Sequence, residues 1–318
     1  MVKIFYLNYR GSPMKSAKRI TLVQNPERFI ARVIAKFVKE NPANRRKVGR
    51  GKFWDKPLVG FGSGNDPLFK QYKKIIGKFH FTPREIFELT FGKRKQPPEL
   101  SVISWILPTS EGIRKSNRKE TKYPSRLWAH ARYFGEQFNV KLRDHLVGLL
   151  EKKGYQAVAP MNSPHWKRVR SPRVGFASSW SERHAAYVCG LGTFGLSDGF
   201  ITPKGKAMRV GSVVTNLPLK PSAKKYPHHR ANCLYFFNRT CKVCAARCPA
   251  GAITAKGHDK DKCYEYSYNT IGPSKRAEYG VKITGCGLCQ TRVPCESEIP
   301  KLIQKAYERI AHDRAHKE

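Results

Sequence analysis

The chain has 318 residues, with 61 Lys and Arg against 23 Asp and Glu, for a formal net charge of +38. No window approaches the roughly 18 apolar residues of a membrane span, and the N-terminus carries neither an apolar leader core nor a small-residue cleavage site. These features argue against a secreted or membrane-embedded protein and for a cytoplasmic one, long enough for one large domain or two smaller ones.

Asn25-Pro26 opens a helix, with an Asn cap and Pro at the first helical position. Phe29, Ile30, Val33, Ile34, Phe37 and Val38 then recur at helical spacing as far as Glu40. Residues 41–56 read as a basic loop, and Leu58 to Phe61 as a short strand or buried turn running into a turn cluster over 62–67. Thr82-Pro83-Arg84-Glu85 is a capping box for a helix to about Phe91. Leu100 to Leu107 is apolar and β-rich, which predicts a buried strand of a central sheet. Residues 114–122 read as an exposed basic loop. From Ser125 a long amphipathic helix or helix pair carries Leu127, Ala131, Phe134, Phe138, Leu142, Leu146, Leu149 and Leu150 and stops at Gly154. Val158 to Met161 reads as another short strand. Ser179-Trp180-Ser181-Glu182 is a second capping box, for a helix ending at Gly190, and Val210 to Thr215 reads as a strand. This alternation up to about residue 220 predicts an α/β or α+β domain. A closing helix is expected over 300–312.

Basic residues are densest over 45–56, at Lys93-Arg94-Lys95, and over 114–122 and 167–173. Charge on this scale favours a polyanion such as RNA, through counterion release. Because it is spread along the whole chain, a merely solvated basic surface is the competing reading.

Eight of the nine cysteines fall between Cys233 and Cys295. Bacterial-type iron–sulfur motifs run C-x2-C-x2-C-x3-C-P. Cys241, Cys244 and Cys248-Pro249 keep the last three positions. Asn238 occupies the first, and Cys233, five residues earlier, is the stand-in. The second run, Cys286, Cys289 and Cys295, is stretched in a similar way, and Cys263 completes eight. Eight thiolates would complete two four-iron clusters. Tight CxxC pairs and an odd total disfavour disulfides; two four-cysteine zinc sites are the alternative. Cys189 stands apart and reads as a small apolar core residue.

Gly190-x-Gly192-x-x-Gly195 matches a dinucleotide-binding pattern, but it follows a helix where that fingerprint joins a strand to a helix. A helix cap with a tight turn, or backbone drawn close to a flat ligand, fits equally well. The run from Arg183-His184-Ala185-Ala186-Tyr187 through Gly190 to Leu196, with Ile201-Thr202 and Arg209-Val210-Gly211-Ser212-Val213, resembles the epoxyqueuosine reductase superfamily, which is related to reductive dehalogenases. The resemblance covers roughly residues 55–300 and is specific after Ser179.

That resemblance implies an α/β (α+β) nitroreductase-like, corrinoid-binding domain over 1–225. It implies a two-[4Fe-4S] ferredoxin-like module over 226–300, and a helical tail over 301–318. One cluster would be held by Cys233, Cys241, Cys244 and Cys295, the other by Cys248, Cys263, Cys286 and Cys289. Cobalamin would lie against Arg132, Gly190, Gly192, Thr193, Phe194, Gly195 and Ser212. Those enzymes carry an Arg-Asp-Tyr-His signature; here the helix reads Ala131-Arg132-Tyr133-Phe134-Gly135-Glu136, without the aspartate. Tyr133, Glu136 and His184 are the candidates for proton chemistry. The helical repeats that follow the clusters in the tRNA-modifying members are not expected here. The implied activity is an oxidoreductase that passes electrons from a low-potential donor, ferredoxin or flavodoxin, through both clusters to the corrinoid and its substrate. The basic surface suits tRNA. A corrinoid-free electron carrier and an RNA-binding protein with structural clusters are the alternatives.

Overall fold

The computed structural model describes residues 25–93 and 97–315. The N-terminal stretch read for a leader, and Arg94 and Lys95 of the basic triplet, lie outside them. The first part of the chain runs α1 (Pro26–Glu40), β1 (Leu58–Ser63), α2 (Pro67–Ile75), α3 (Pro83–Phe91), β2 (Ser101–Pro108), α4 (Glu111–Arg118), α5 (Arg126–Lys152) and β3 (Ala157–Val158). A hairpin of β4 (Arg168–Ser171) and β5 (Gly175–Ser178) follows. Then come α6 (Glu182–Val188), the paired β6 (Thr193–Phe194) and β7 (Phe200–Ile201), and β8 (Met208–Thr215). The cysteine-rich part holds α7 (Leu234–Asn238), α8 (Val243–Ala246), the hairpin of β9 (Ile253–Thr254) and β10 (Gly257–His258), and α9 (Lys260–Tyr264). A π-helical turn (Glu265–Thr270), α10 (Ile271–Tyr279) and α11 (Lys301–Ala315) complete it.

The central sheet has the order β1-β2-β8-β3, and every pair in it is antiparallel. Strand β2 is buried along its whole length because helices cover both faces. Side chains alternate across a strand, so Ile103, Trp105 and Leu107 enter one core with Ile30, Ile34, Phe138, Leu142 and Leu146 of α1 and α5. Val102 and Ile106 enter the other, with Phe69, Ile86, Phe87, Ala185 and Val188. Each such aliphatic or aromatic side chain contributes about 1.5–3 kcal/mol on burial. The result is a mixed helix-and-sheet fold with an antiparallel sheet at its centre.

Local chemistry sets the helix starts. The Asn25 side chain accepts from the Arg28 N–H, and Thr82 and Glu85 form the full capping box. Asp66 caps α2, with Pro67 at its first position, so the turn cluster is also a helix start. The capping box expected at Ser179 does not form: Ser181 makes no side-chain cap, and Glu182 turns inward instead. Residues 114–122 are not a free loop. Arg114 and Arg118 sit on α4 and pair with Glu111 on their own helix and with the buried Glu296 from the far end of the chain. The basic stretch near 170 forms the β4–β5 hairpin.

Polar contacts close the remaining joints. Asn139 on α5, fully buried, accepts from the Trp105 indole N–H at 3.0 Å and donates to the Val210 carbonyl at 3.0 Å. The cysteine-rich segment docks on α4 and α5 through Asn117 to Thr291 (3.0 Å), Arg247 to the Glu120 carbonyl (3.1 Å) and the His130 ring to the Tyr279 carbonyl (2.7 Å). Among the described residues no helix is long and apolar enough to cross a membrane. Replacing Asn139 by Leu strands the Trp105 indole N–H, which costs roughly 1–3 kcal/mol when buried unpaired, and leaves the Val210 carbonyl with the longer Arg143 contact. Urea denaturation of Asn139→Leu should show a loss of about 1–3 kcal/mol.

Candidate functional site

A cavity of about 710 Å³ opens between the sheet with α5 and the cysteine-rich segment. Cys248, Cys263, Cys286 and Cys289 form part of its wall. Facing them are Arg132, Glu136 and Arg143 of α5, Glu182 of α6 and Arg209 of β8, among the indoles of Trp54, Trp128, Trp166 and Trp180. A second, small void of about 20 Å³ is bordered by the other four thiols, Cys233, Cys241, Cys244 and Cys295.

The thiols within each set are electrostatic neighbours. Burial above all lifts the Cys295 thiol to about 12; Lys206 opposes that rise, and Cys233, Cys244 and Cys241 add to it. Burial likewise lifts Cys286 to about 12, reinforced by Cys289, Cys263 and Cys248. Among the described residues no three His, Cys, Asp or Glu side chains stand in the arrangement of a single-ion site. Gly287, between Cys286 and Cys289, has φ +70°, and a Cβ there would lie 2.1 Å from the Trp128 indole. Only glycine lets this thiol-bearing turn rest on that cavity wall.

Lys206 borders both voids. It is 2% exposed, its ammonium donates to the Ser197 hydroxyl at 2.7 Å, and its N–H donates to the Cys295 carbonyl at 2.9 Å. Burial works against its charge, but Cys295, Cys289, Cys244 and Cys233 outweigh that and hold its pKa above the usual value.

A buried ion network lies under the cavity. Arg143, 1% exposed, donates to Glu182 at 3.2 Å, to Glu136 at 3.1 Å and to the Val210 carbonyl at 3.4 Å. Glu182 also accepts from the Ser212 hydroxyl, which in turn accepts from the Trp180 N–H at 3.0 Å. Burial raises the Glu182 carboxyl despite Arg143 and Ser212. Burial also works to raise Glu136, but Arg143, Arg209 and Arg132 overcome it and hold that carboxyl low. One wall therefore carries two carboxyls shifted in opposite directions, Glu182 up by burial and Glu136 down by its three arginines.

Of the residues singled out in the sequence, Arg132 and Glu136 line the cavity, and so does one complete set of four cysteines. Ser212 lies behind the wall and acts on Glu182. Tyr133 lies outside the lining, packed with Phe134 against Ala129, Tyr279 and Val281. His184 is also outside, held by Ser181 (2.8 Å) and by ring contacts with Tyr72 and Phe194. The glycine loop faces away from the large cavity. Gly192 is pressed against Ile201, where a Cβ would meet the carbonyl at 2.4 Å, and the Thr193 hydroxyl accepts from the Asn232 N–H at 2.9 Å. The Phe194 N–H donates to the His229 carbonyl at 2.7 Å, Gly190 turns at φ +71°, and Gly195 borders the small void. The loop thus braces the approach to Cys233. Cys189 is fully buried, its Sγ donating to the Val102 carbonyl at 3.4 Å.

Sequence reading missed Arg143, Arg168, Lys206 and Tyr268, and took Glu182 for a cap. The one local signal was an acid and cations set among small or apolar neighbours, as in Gly205-Lys206-Ala207.

No protein-family model matches the sequence, and no curated protein does either. Among solved structures the chain is similar to a crystal structure of epoxyqueuosine reductase, with 16% identity and a TM-score of 0.45 over 84% of this chain and 66% of that one. It is similar to the epoxyqueuosine reductase of Bacillus subtilis (16%, TM-score 0.44, 85% and 67%) and to a reductive dehalogenase (15%, TM-score 0.45, 65% and 27%). The chain spans about two thirds of the length of the first two and about a quarter of the third.

His80, beside Trp180 and His184, is 1% exposed, and neither ring nitrogen has a partner among the described residues. Burial, aided by Lys73, lowers its pKa from 6.5 to about 4. Between those values the unfolded chain binds the proton and the folded one does not, so stability falls as pH drops from 6.5 toward 4. Urea unfolding across that range should show a shallower acid loss for His80→Leu than for the parent.

Proposed function

We propose that the chain is an iron–sulfur oxidoreductase of the epoxyqueuosine reductase kind, with two [4Fe-4S] clusters and a corrinoid as its resident groups. The observation that carries this reading is the sorting of eight thiols into two fours, each bordering a void, one of which is large enough for a small-molecule ligand. Such sites commonly measure roughly 300–1,000 Å³. The spacing of Cys241, Cys244 and Cys248-Pro249 adds support, as does the sequence resemblance after Ser179.

Cys233, Cys241, Cys244 and Cys295 would hold one cluster, and Cys248, Cys263, Cys286 and Cys289 the other. Trp54, Trp128, Trp166 and Trp180, with Arg132, would hold the corrinoid. When bound, the clusters supply one-electron transfer and the corrinoid a cobalt centre able to reduce a substrate. The protein's own part is to orient and to exclude water. The indoles make the dry wall, and Arg143 fixes Glu136 and Glu182 in place along it. Lys206 places a positive charge between the two thiol sets, where it favours the more negative, reduced state of each cluster.

A low-potential donor such as ferredoxin or flavodoxin would meet the face around Cys241. There Phe237 (45%) and Val243 (37%) are exposed beside the exposed Arg239 and Lys242, an apolar patch edged with cations. The net charge of +38 supports a polyanionic partner such as tRNA.

Anaerobic preparation should yield about eight iron and eight sulfide per chain, and added hydroxocobalamin should bind with a cobalt stoichiometry near one. Cys263→Ser should cost about half the iron. Zinc in place of iron would sink the proposal. In redox titrations followed by electron paramagnetic resonance, Lys206→Gln should lower the midpoint potentials of both clusters; an unchanged pair would remove Lys206 from this role.

A further inference from the structure

Six cationic side chains border the large cavity, against two carboxylates, Glu136 and Glu182. Lys206 is matched by the thiols, and Arg183 donates to the Asp198 carbonyl. That leaves Arg132, Arg143, Arg168 and Arg209 facing both acids, and Arg143 already engages the two of them. Arg209 shares Glu136 at 3.4 Å. Among the described residues no carboxylate lies within ion-pair distance of Arg132 or Arg168. Arg132 instead reaches the Tyr268 hydroxyl at 3.4 Å, and the Arg168 guanidinium lies 5.7 Å from the Tyr268 ring. Tyr268 belongs to the π-helical turn, a rare distortion that is frequent at functional sites. Arg168 is exposed yet borders the cavity, so this cluster stands at the solvent-facing edge.

We infer that Arg132, Arg168 and Arg209, with the Tyr268 hydroxyl, form a subsite for an oxyanion carried by the substrate, a phosphate or carboxylate group, at the edge of the cavity. Guanidinium groups present paired N–H donors that match such an anion. The cost of the present arrangement is visible in the charges themselves. Burial first, and then repulsion from Arg132, brings Arg209 down to about 10. Burial works to raise the Tyr268 phenol, but Arg132, Arg168 and Arg209 outweigh it and bring its pKa below the ordinary value. An oxyanion seated among the three cations relieves both effects. The inference shares the cavity of the proposed reductase site but needs neither iron nor cobalt to be tested.

The probe is inorganic phosphate, titrated calorimetrically into the purified full-length chain at fixed chloride concentration. Saturable binding is expected. It should weaken about tenfold or more in Arg168→Ala, whose edge position spares the core, and in Arg209→Met. The surface variant Arg50→Ala should bind as the parent does. No saturable binding, or equal weakening in all three variants, would overturn the subsite in favour of general attraction to a basic surface. So would binding unaltered in both Arg168→Ala and Arg209→Met. Repeating the titration with hydroxocobalamin separates the sources of the anion. Persistent phosphate binding assigns the subsite to the substrate, and displacement overturns that assignment because the cofactor's own phosphodiester then occupies it. A preparation that binds phosphate but no iron would end the reductase reading and leave the subsite standing.

Discussion

A guanidinium buried between α5, α6 and β8 has to be neutralised where it lies. Arg143 is 1% exposed, and Glu136, Glu182 and the Val210 carbonyl converge on it from those three elements. Removing one partner of such a group costs about 3–5 kcal/mol, because the other charge remains uncompensated. The network therefore ties the long helix to the sheet and to the short helix before the glycine loop. The same carboxylates are the acidic part of the cavity wall, so fold and site share one constraint.

Charge balance across the cavity follows from it. On one side, two sets of four thiols border voids that share the buried Lys206 ammonium. On the other, the two carboxylates are largely taken up by Arg143, and the edge arginines are left with a phenol. The edge arginines are not balanced by what the described residues provide. The thiol side suits a group that takes up thiolate charge and the arginine side suits an anion, which is the pattern expected of a site that gathers several ligands of different charge.

The main elements could be read locally where the governing interaction is local. Asn25 and Thr82 cap their own helices, the apolar run of β2 announced a strand buried on both faces, and Gly154 stops α5 at φ +82°. Expectation failed where a distant partner decided the outcome. Arg114 and Arg118 looked like a solvated loop, but Glu296 draws them onto a helix; Ser179 to Glu182 looked like a cap, but Arg143 and Ser212 draw Glu182 inward. Tyr133 and His184, named as proton candidates through the family resemblance, lie outside the cavity lining and pack among aromatic rings.

From the order of residues alone came the helix caps, the central strand, the grouping of cysteines late in the chain and the large positive charge. Those depend on neighbours within a few positions, or on sums that need no geometry. The two sets of thiols were already implied by the family resemblance; tertiary structure alone decided that Lys206 lies between them, and that Arg132, Arg168, Arg209 and Tyr268 meet at one edge. These residues come from α5, β4, β8 and a π-helical turn, and only the packing of helices on both faces of an antiparallel sheet brings such distant positions within reach of one another.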